Sequence, residues 1–118
     1  MPEHLIRLRG AWDWLTEAGP RRVDLPITWP PGLAGPLVLS RRFQRPRVEP
    51  DREALALRLG DVPGLIRARL NGDEVAGPAA GEVPLGNLPA RNVLILEVDP
   101  AGLGEGPWGA IALVIRAR

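Results

Sequence analysis

Side chains that could do nucleophilic or acid–base chemistry are few in this chain of 118 residues. It has no Cys, Tyr or Lys, all 15 of its basic residues are Arg, and it has one His and one Ser, His4 and Ser40. This composition excludes thiol nucleophiles, disulfides, multi-histidine metal centres, Schiff bases and Walker-type phosphate loops. A His4–Ser40 dyad is not indicated either, because Ser40 lies in an apolar run rather than on a glycine-rich elbow. We therefore expect no catalytic residue, no bound metal and no cofactor.

Charged residues suggest no nucleic-acid partner. The formal net charge is +1, although four arginines fall between residues 41 and 47, around Phe43. Strand alternation would place Arg41 and Arg42 on opposite faces. Acids follow closely, so we interpret this stretch as a solvated, ion-paired face rather than a basic binding patch. The glycine-rich run 102–106 precedes a strand instead of a helix, and we interpret it as a loop rather than a phosphate site.

The backbone that must position any site is rich in residues that interrupt helices. Gly and Pro number 14 each, while the hydrophobic fraction of 45% is that of a globular protein. This combination predicts short strands joined by turns. Asn71-Gly72 follows an alternating segment directly and predicts a tight hairpin. The predicted strands, including the short return strand of that hairpin, are residues 37–43, 51–59, 65–70, 74–76, 93–98 and 110–116.

Other segments are less regular in their pattern. Residues 3–18 could be drawn as an amphipathic helix, but Gly10 in the middle weakens that interpretation. Residues 51–59 have helical propensity, although Leu55, Leu57 and Leu59 alternate as in a strand. The segment 20–36 contains five prolines and is predicted to be an extended loop. The nearly continuous apolar run 93–98 predicts a strand buried on both faces.

These elements predict an all-β fold, a two-sheet antiparallel β-sandwich in which residues 1–118 form one domain. The amino terminus has no charged region followed by an apolar stretch, and no apolar run is long enough to span a bilayer. We therefore expect a cytoplasmic protein with no membrane partner and no nucleic-acid partner.

The order of short motifs along the chain resembles one known family. The chain is similar to the N-terminal sugar-binding domain of glycoside hydrolase family 2, the β-galactosidase and β-glucuronidase group. The similar segments are Leu8-Arg9-Gly10-Ala11-Trp12, Leu25-Pro26-Ile27-Thr28-Trp29, Leu39-Ser40-Arg41-Arg42-Phe43, Leu57-Arg58-Leu59-Gly60-Asp61-Val62, Arg69-Leu70-Asn71-Gly72-Asp73-Glu74-Val75, Arg91-Asn92-Val93-Leu94 and Trp108-Gly109-Ala110-Ile111. Ser40 stands where the family has an aromatic residue, and Ala90-Arg91 where it has glycine.

The resemblance implies a galactose-binding-like jelly roll, here free-standing. In that family the catalytic carboxylates lie in a separate barrel domain, so the resemblance implies that this chain is not an enzyme. Asn92 is expected to hydrogen-bond local backbone where a buried strand starts. Trp12, Trp29 and Trp108 are expected to plug the ends of the sandwich.

A sugar site would combine an aromatic platform with a few polar groups. Trp14 and Trp108 are the candidate platforms, and the candidate polar partners are Asp13, Glu17, Arg41 and Glu105. The alternative is that all four tryptophans belong to the core or close the ends of the sandwich.

Two functions remain open at this stage. The first is a non-catalytic carbohydrate-binding module. The second is a non-catalytic interaction or structural domain of the same fold, with a partner protein or a second copy of the chain as its ligand. The aromatic content of 4% favours the second function, and the family resemblance favours the first.

Overall fold

Strands make up nearly all of the regular structure. The computed structural model describes residues 3–28, 33, 35–78, 80–102 and 107–118. Within these ranges the chain forms strands and a short 3₁₀ turn at Pro100–Gly102. The strands are β1 (His4–Arg7), β2 (Trp12–Thr16), β3 (Gly19–Val23), β4 (Ile27–Thr28), β5 (Leu37–Gln44), β6 (Glu53–Arg58), β7 (Leu65–Leu70), β8 (Asp73–Ala76), β9 (Glu82–Leu85), β10 (Arg91–Val98), β11 (Pro107–Trp108) and β12 (Ala112–Ala117).

The strands pair into two main antiparallel sheets. The smaller sheet has the order β1-β12-β6-β9, and the larger has the order β3-β2-β5-β10-β7-β8. A third pair, β11 with β4, is also antiparallel. The two sheets form a sandwich, which confirms the predicted all-β fold class.

The core lies between the sheets and follows strand alternation. On β10, Leu94, Leu96 and Val98 are fully buried, and on β6 and β12 the inward residues include Leu57 and Leu113. Burial of these aliphatic side chains is the main stabilising contribution to such a fold. Trp12 has no exposed surface and donates its indole N–H to the carbonyl of Leu8 at 2.7 Å. It is therefore a core residue.

The predicted hairpin forms between β7 and β8. Asn71 has a φ of 54° and Gly72 a φ of 90°, the left-handed conformations that such a tight turn requires. Asn92 is buried at the start of β10 and donates to the carbonyl of Pro89 at 3.1 Å, which confirms its expected role. Trp29, the third expected plug, lies outside the described residues.

Two predictions about elements were wrong, and one edge strand was missed. Part of the segment 20–36 is regular, because β3 pairs with β2 along five residues from Gly19 to Val23. Pro20 is tolerated there because β3 is an edge strand, whose free side needs no N–H donor. The short edge strand β9 was not predicted. The strand β10 is not buried on both faces, since Val93, Ile95 and Glu97 are only half-buried on its outer side.

No α-helix of the length and hydrophobicity needed to cross a membrane occurs in the described part of the chain.

Candidate functional site

The β2–β3 hairpin carries two of the predicted ligand residues, Asp13 and Trp14. They are neighbours on a regular strand, so their side chains point to opposite faces. Asp13 accepts a hydrogen bond from Nε of Arg22 at 3.1 Å. Trp14 packs against the core from the inner face, and the guanidinium of Arg21 lies 5.8 Å from its ring centroid, within cation–π range. The structure therefore does not bring Asp13 and Trp14 together around one ligand.

Arg41 lies on the inner face of β5, opposite Trp12 on one side and Leu94 on the other. Its Nε donates to the carbonyl of Gly10 at 2.6 Å, and its Nη1 donates to the carbonyl of Arg42. Burial lowers the pKa of Arg41, with the charge of Arg22 as a smaller cause, although an arginine stays protonated. These contacts make Arg41 a residue that fixes the backbone between β1 and β2.

Trp108 is not an exposed platform, because 3% of its surface is accessible and its ring belongs to the core. Strand β11 pairs with β4, with Trp108 opposite Ile27. The residues that follow are held by Asp61, whose carbonyl accepts from Gly109 N and whose carboxylate accepts from Ala110 N, both at 2.9 Å. Trp108 is thus a core residue, which was the alternative to its role as a platform for a sugar.

The remaining two predicted ligand residues do not complete a site. Glu17 is exposed in the turn between β2 and β3, where Thr16 Oγ1 donates to the carbonyl of Gly19 at 2.7 Å. Glu105 lies outside the described residues. The predicted ligand site around Trp14 stays a prediction, with the exposed Glu17 three positions further along the chain.

A cleft of about 500 Å³ lies elsewhere, between the loop that follows β5 and the loop that follows β9. Its volume is in the range of small-ligand sites. The core residues Leu55 and Leu88 contribute apolar wall, and Asn87 contributes an exposed amide. The charged lining residues are Arg45, Arg47, Glu53 and Arg118.

Two of these arginines were predicted to belong to a solvated, ion-paired face; both are exposed, as predicted, but the predicted ion pairing is wrong. None of the four arginines between residues 41 and 47 forms an ion pair with another described residue. Arg45 Nη1 instead donates to the carbonyl of Leu88 at 2.9 Å, joining the two loops that border the cleft. Four cations so close in sequence were the signal that could have indicated this cleft.

Among the described residues, no group of three or more His, Asp or Glu side chains is placed to hold a metal ion.

Known structures of the same fold include several glycoside hydrolases. An FMN-binding β-glucuronidase from Facaelibacterium prausnitzii superposes with a TM-score of 0.74 at 18% identity, over 96% of this chain and 22% of that one. A rhamnosidase from Novosphingobium gives 0.71 at 19% identity, over 98% of this chain and 15% of that one. A β-glucuronidase from Dictyoglomus thermophilum gives 0.70 at 15% identity, over 96% and 28%.

The similarity confirms the resemblance at the level of the fold. At these identities it shows the fold alone, and the chain spans between 15% and 28% of the length of those three proteins. No protein-family model and no curated protein matches the sequence.

Proposed function

We propose that this chain is a non-catalytic carbohydrate-binding domain whose ligand occupies the cleft between the loops that follow β5 and β9. The observation that carries the proposal is the cleft itself, which combines apolar walls with convergent polar side chains. Its volume of about 500 Å³ would hold one or two sugar rings. The proteins that share the fold include a β-glucuronidase and a rhamnosidase, which supports a sugar as the ligand.

The lining of the cleft also supports a binding role without hydrolysis. Glycoside hydrolysis generally uses two carboxyl groups that flank the scissile bond. In the described lining of the cleft, Glu53 is the one acidic side chain, and its Oε1 accepts a hydrogen bond from the backbone N–H of Glu49 at 3.0 Å. We expect no release of nitrophenol from nitrophenyl glycosides.

The proposal is tested by recording amide chemical shifts of the protein while monosaccharides and short oligosaccharides are added to millimolar concentration. We expect shifts concentrated in residues 45–48 and 85–88, and weaker binding in Asn87→Ala. The matched control is Gln44→Ala, which removes an exposed amide outside the cleft. Absence of any shift across the set would overturn the proposal, and shifts confined to the β2–β3 hairpin would transfer the site to Trp14.

A second candidate function, a protein-interaction domain, is favoured by one observation. Leu15 on β2 is 45% exposed and Leu5 on β1 is 36% exposed. These exposed fractions are large for aliphatic side chains on regular strands, and exposed apolar surface can mark a protein interface. If this candidate is right, sedimentation should show a complex with a second copy or a partner chain that Leu15→Ser weakens. A monomer at all concentrations, with no partner, would count against it.

A further inference from the structure

The charge of the cleft is unbalanced in favour of cations. The side chains of Arg45, Arg47 and Arg118 line it, and Glu53 is the acidic side chain in its described lining, which leaves an excess of two positive side-chain charges. A concave surface with low-dielectric walls strengthens the field of such charges at its centre. The cleft therefore favours a ligand that carries negative charge.

Two of the arginines are held in place by the backbone. Arg45 Nη1 donates to the carbonyl of Leu88 at 2.9 Å, and Arg118 Nε donates to the carbonyls of Pro50 and Glu53 at 2.8 and 2.9 Å. Each guanidinium has five N–H groups, so these bonds fix its orientation and leave donors for a ligand. Fixed donors bind a ligand with less loss of side-chain entropy than mobile ones.

Arg47 differs from its neighbours, because it has no hydrogen bond or ion pair to another described residue. It is exposed and follows Pro46, which also lines the cleft. Its full guanidinium fork is thus available to a ligand. The planar fork matches a carboxylate through two parallel N–H···O bonds, a geometry that lysine does not offer.

We propose that the ligand of this cleft is an acidic sugar, a uronic acid residue whose carboxylate is bound by Arg47 with Arg45 and Arg118 beside it. The inference rests on the proposed carbohydrate-binding function and adds the chemical class of the ligand. The apolar walls at Leu55 and Leu88 would contact the C–H face of the ring.

The test compares pairs of sugars that differ only in the carboxylate. Calorimetric titration with methyl β-glucuronide and methyl β-glucoside, and with the corresponding galacturonide and galactoside, should show the acid binding at least about ten-fold more tightly. Because the interaction is charge-assisted, affinity for the acid should fall when the salt concentration is raised from 20 to 500 mM.

Variants locate the effect within the cleft. Arg47→Gln should reduce the preference for the acid to near unity, and Arg47→Lys should retain part of it, since the charge stays while the fork is lost. The matched control is Arg42→Gln, an exposed arginine on β5 outside this cleft. Circular dichroism on each variant excludes unfolding as the cause.

The outcomes separate the inference from the function on which it rests. If neutral and acidic sugars bind equally, the inference fails while the carbohydrate-binding function stands. If no sugar binds, both fail. If acetate or inorganic phosphate competes as well as the uronide does, the cleft is a general anion site, which also overturns the inference.

Discussion

Asn92 is the polar side chain that the described part of the sandwich buries most completely, with 2% of its surface exposed. Its Oδ1 accepts from Nδ2 of Asn71 at 2.9 Å, and its Nδ2 donates to the carbonyl of Pro89 at 3.1 Å. Asn71 in turn accepts from the backbone N–H of Val93 at 2.9 Å. The two amides therefore tie the β7–β8 turn to the start of β10.

Replacing Asn92 by leucine should destabilise the fold. The substitution removes two hydrogen bonds, one with the Nδ2 of Asn71 and one with the carbonyl of Pro89, and both of these residues are exposed, so water can replace part of what is lost. We expect urea unfolding to show a loss of about 1–3 kcal/mol, the net contribution of two such hydrogen bonds. The same change at the exposed Asn87 should alter the unfolding free energy by less than about 0.5 kcal/mol. Equal effects at both positions would contradict this account.

The role of Asn92 toward the local backbone could be predicted from the sequence, but its bond to Asn71 could not. The two residues are 21 positions apart. They meet because β10 pairs with β7, and no local pattern in the sequence encodes that pairing. The same reason applies to Arg41, whose hydrogen bond to the carbonyl of Gly10 joins residues 31 positions apart.

At the scale of the elements, three glycines in loops and turns differ in how strictly the backbone requires a residue without a side chain. Gly72 has a φ of +90° with open space around it, whereas Gly60 has an ordinary φ and equally open surroundings. Gly64 has a φ of +77°, and a Cβ there would overlap the carbonyl oxygen of Asp99. Gly64 also accepts a hydrogen bond from Asp99 N at 2.8 Å, so the overlap is with a backbone that is held in place.

Substitution by alanine should therefore destabilise in the order Gly64, Gly72, Gly60. A left-handed conformation costs a non-glycine residue about 1–3 kcal/mol, which applies to Gly72→Ala. Gly64→Ala adds the steric overlap to that cost, and Gly60→Ala should stay within about 0.5 kcal/mol of the parent. Thermal unfolding of the three variants measures the order. An effect of Gly60→Ala as large as that of Gly72→Ala would show that backbone conformation is not the cause.

Strands with clear alternation or a turn signal could be predicted from the sequence, and the edge strands that contain a proline could not. Residues 37–43, 65–70 and 93–98 lie within β5, β7 and β10. In contrast, β3 and β9 each contain a proline, which is unfavourable within a sheet and tolerated at its edge. Whether a segment lies at the edge of a sheet depends on the strand order, which the composition of that segment does not show. The prolines therefore argued against strands at these two positions.

The cleft escaped prediction for a related reason. Its arginines come from the loop after β5 and from Arg118, and its walls come from β6 and the loop after β9. Only the sheet order, with β6 between β12 and β9, brings these segments together. Trp108, one of the two tryptophans that the sequence favoured as platforms, lies in the core instead.

At the scale of the whole molecule, an ion-pair network spans the outer face of the smaller sheet. Arg58 contacts Glu3 at 3.0 Å and Glu82 at 3.3 Å, while Arg116 contacts Glu3 at 2.6 Å and also pairs with Glu82. Three of the four residues lie on β6, β9 and β12, and Glu3 directly precedes β1. The network therefore links all four strands of the sheet.

The same network explains an unusual burial. By alternation, Val114 points to the outer face of β12, away from Leu113 and Ile115, yet it is fully buried. Arg116 is two residues along β12 from Val114, and Arg58 lies opposite Ala112, so both arginines share this face with Val114. Arginine methylene groups in such positions can shield an apolar neighbour from water. Removal of one carboxylate would thus weaken both the ion pairs and the shielding of Val114 from water.

The network makes stability depend on pH in the acid range. Hydrogen bonds from Arg116 and then from Arg58 lower the pKa of Glu82 below its ordinary 4.5 in the folded chain, and the same two arginines lower the pKa of Glu3. A carboxyl whose folded pKa is depressed stabilises the fold above the pKa of the unfolded chain. That stabilisation is lost as the pH falls through the folded pKa. The contribution should be constant between pH 7 and pH 5 and decline below about 4.5.

Glu82→Gln isolates this contribution from that of the other acids. The midpoint of thermal unfolding should be lower in the variant than in the parent at pH 7, and the difference should shrink as the pH is lowered to 3. It should also shrink in 1 M salt, because these side chains are accessible to solvent and their attraction is screened. Asp51→Asn, which changes an exposed carboxyl outside the network, should show no such trend. A difference that stays the same from pH 7 to pH 3 would mean that Glu82 acts through packing over Val114 rather than through its charge.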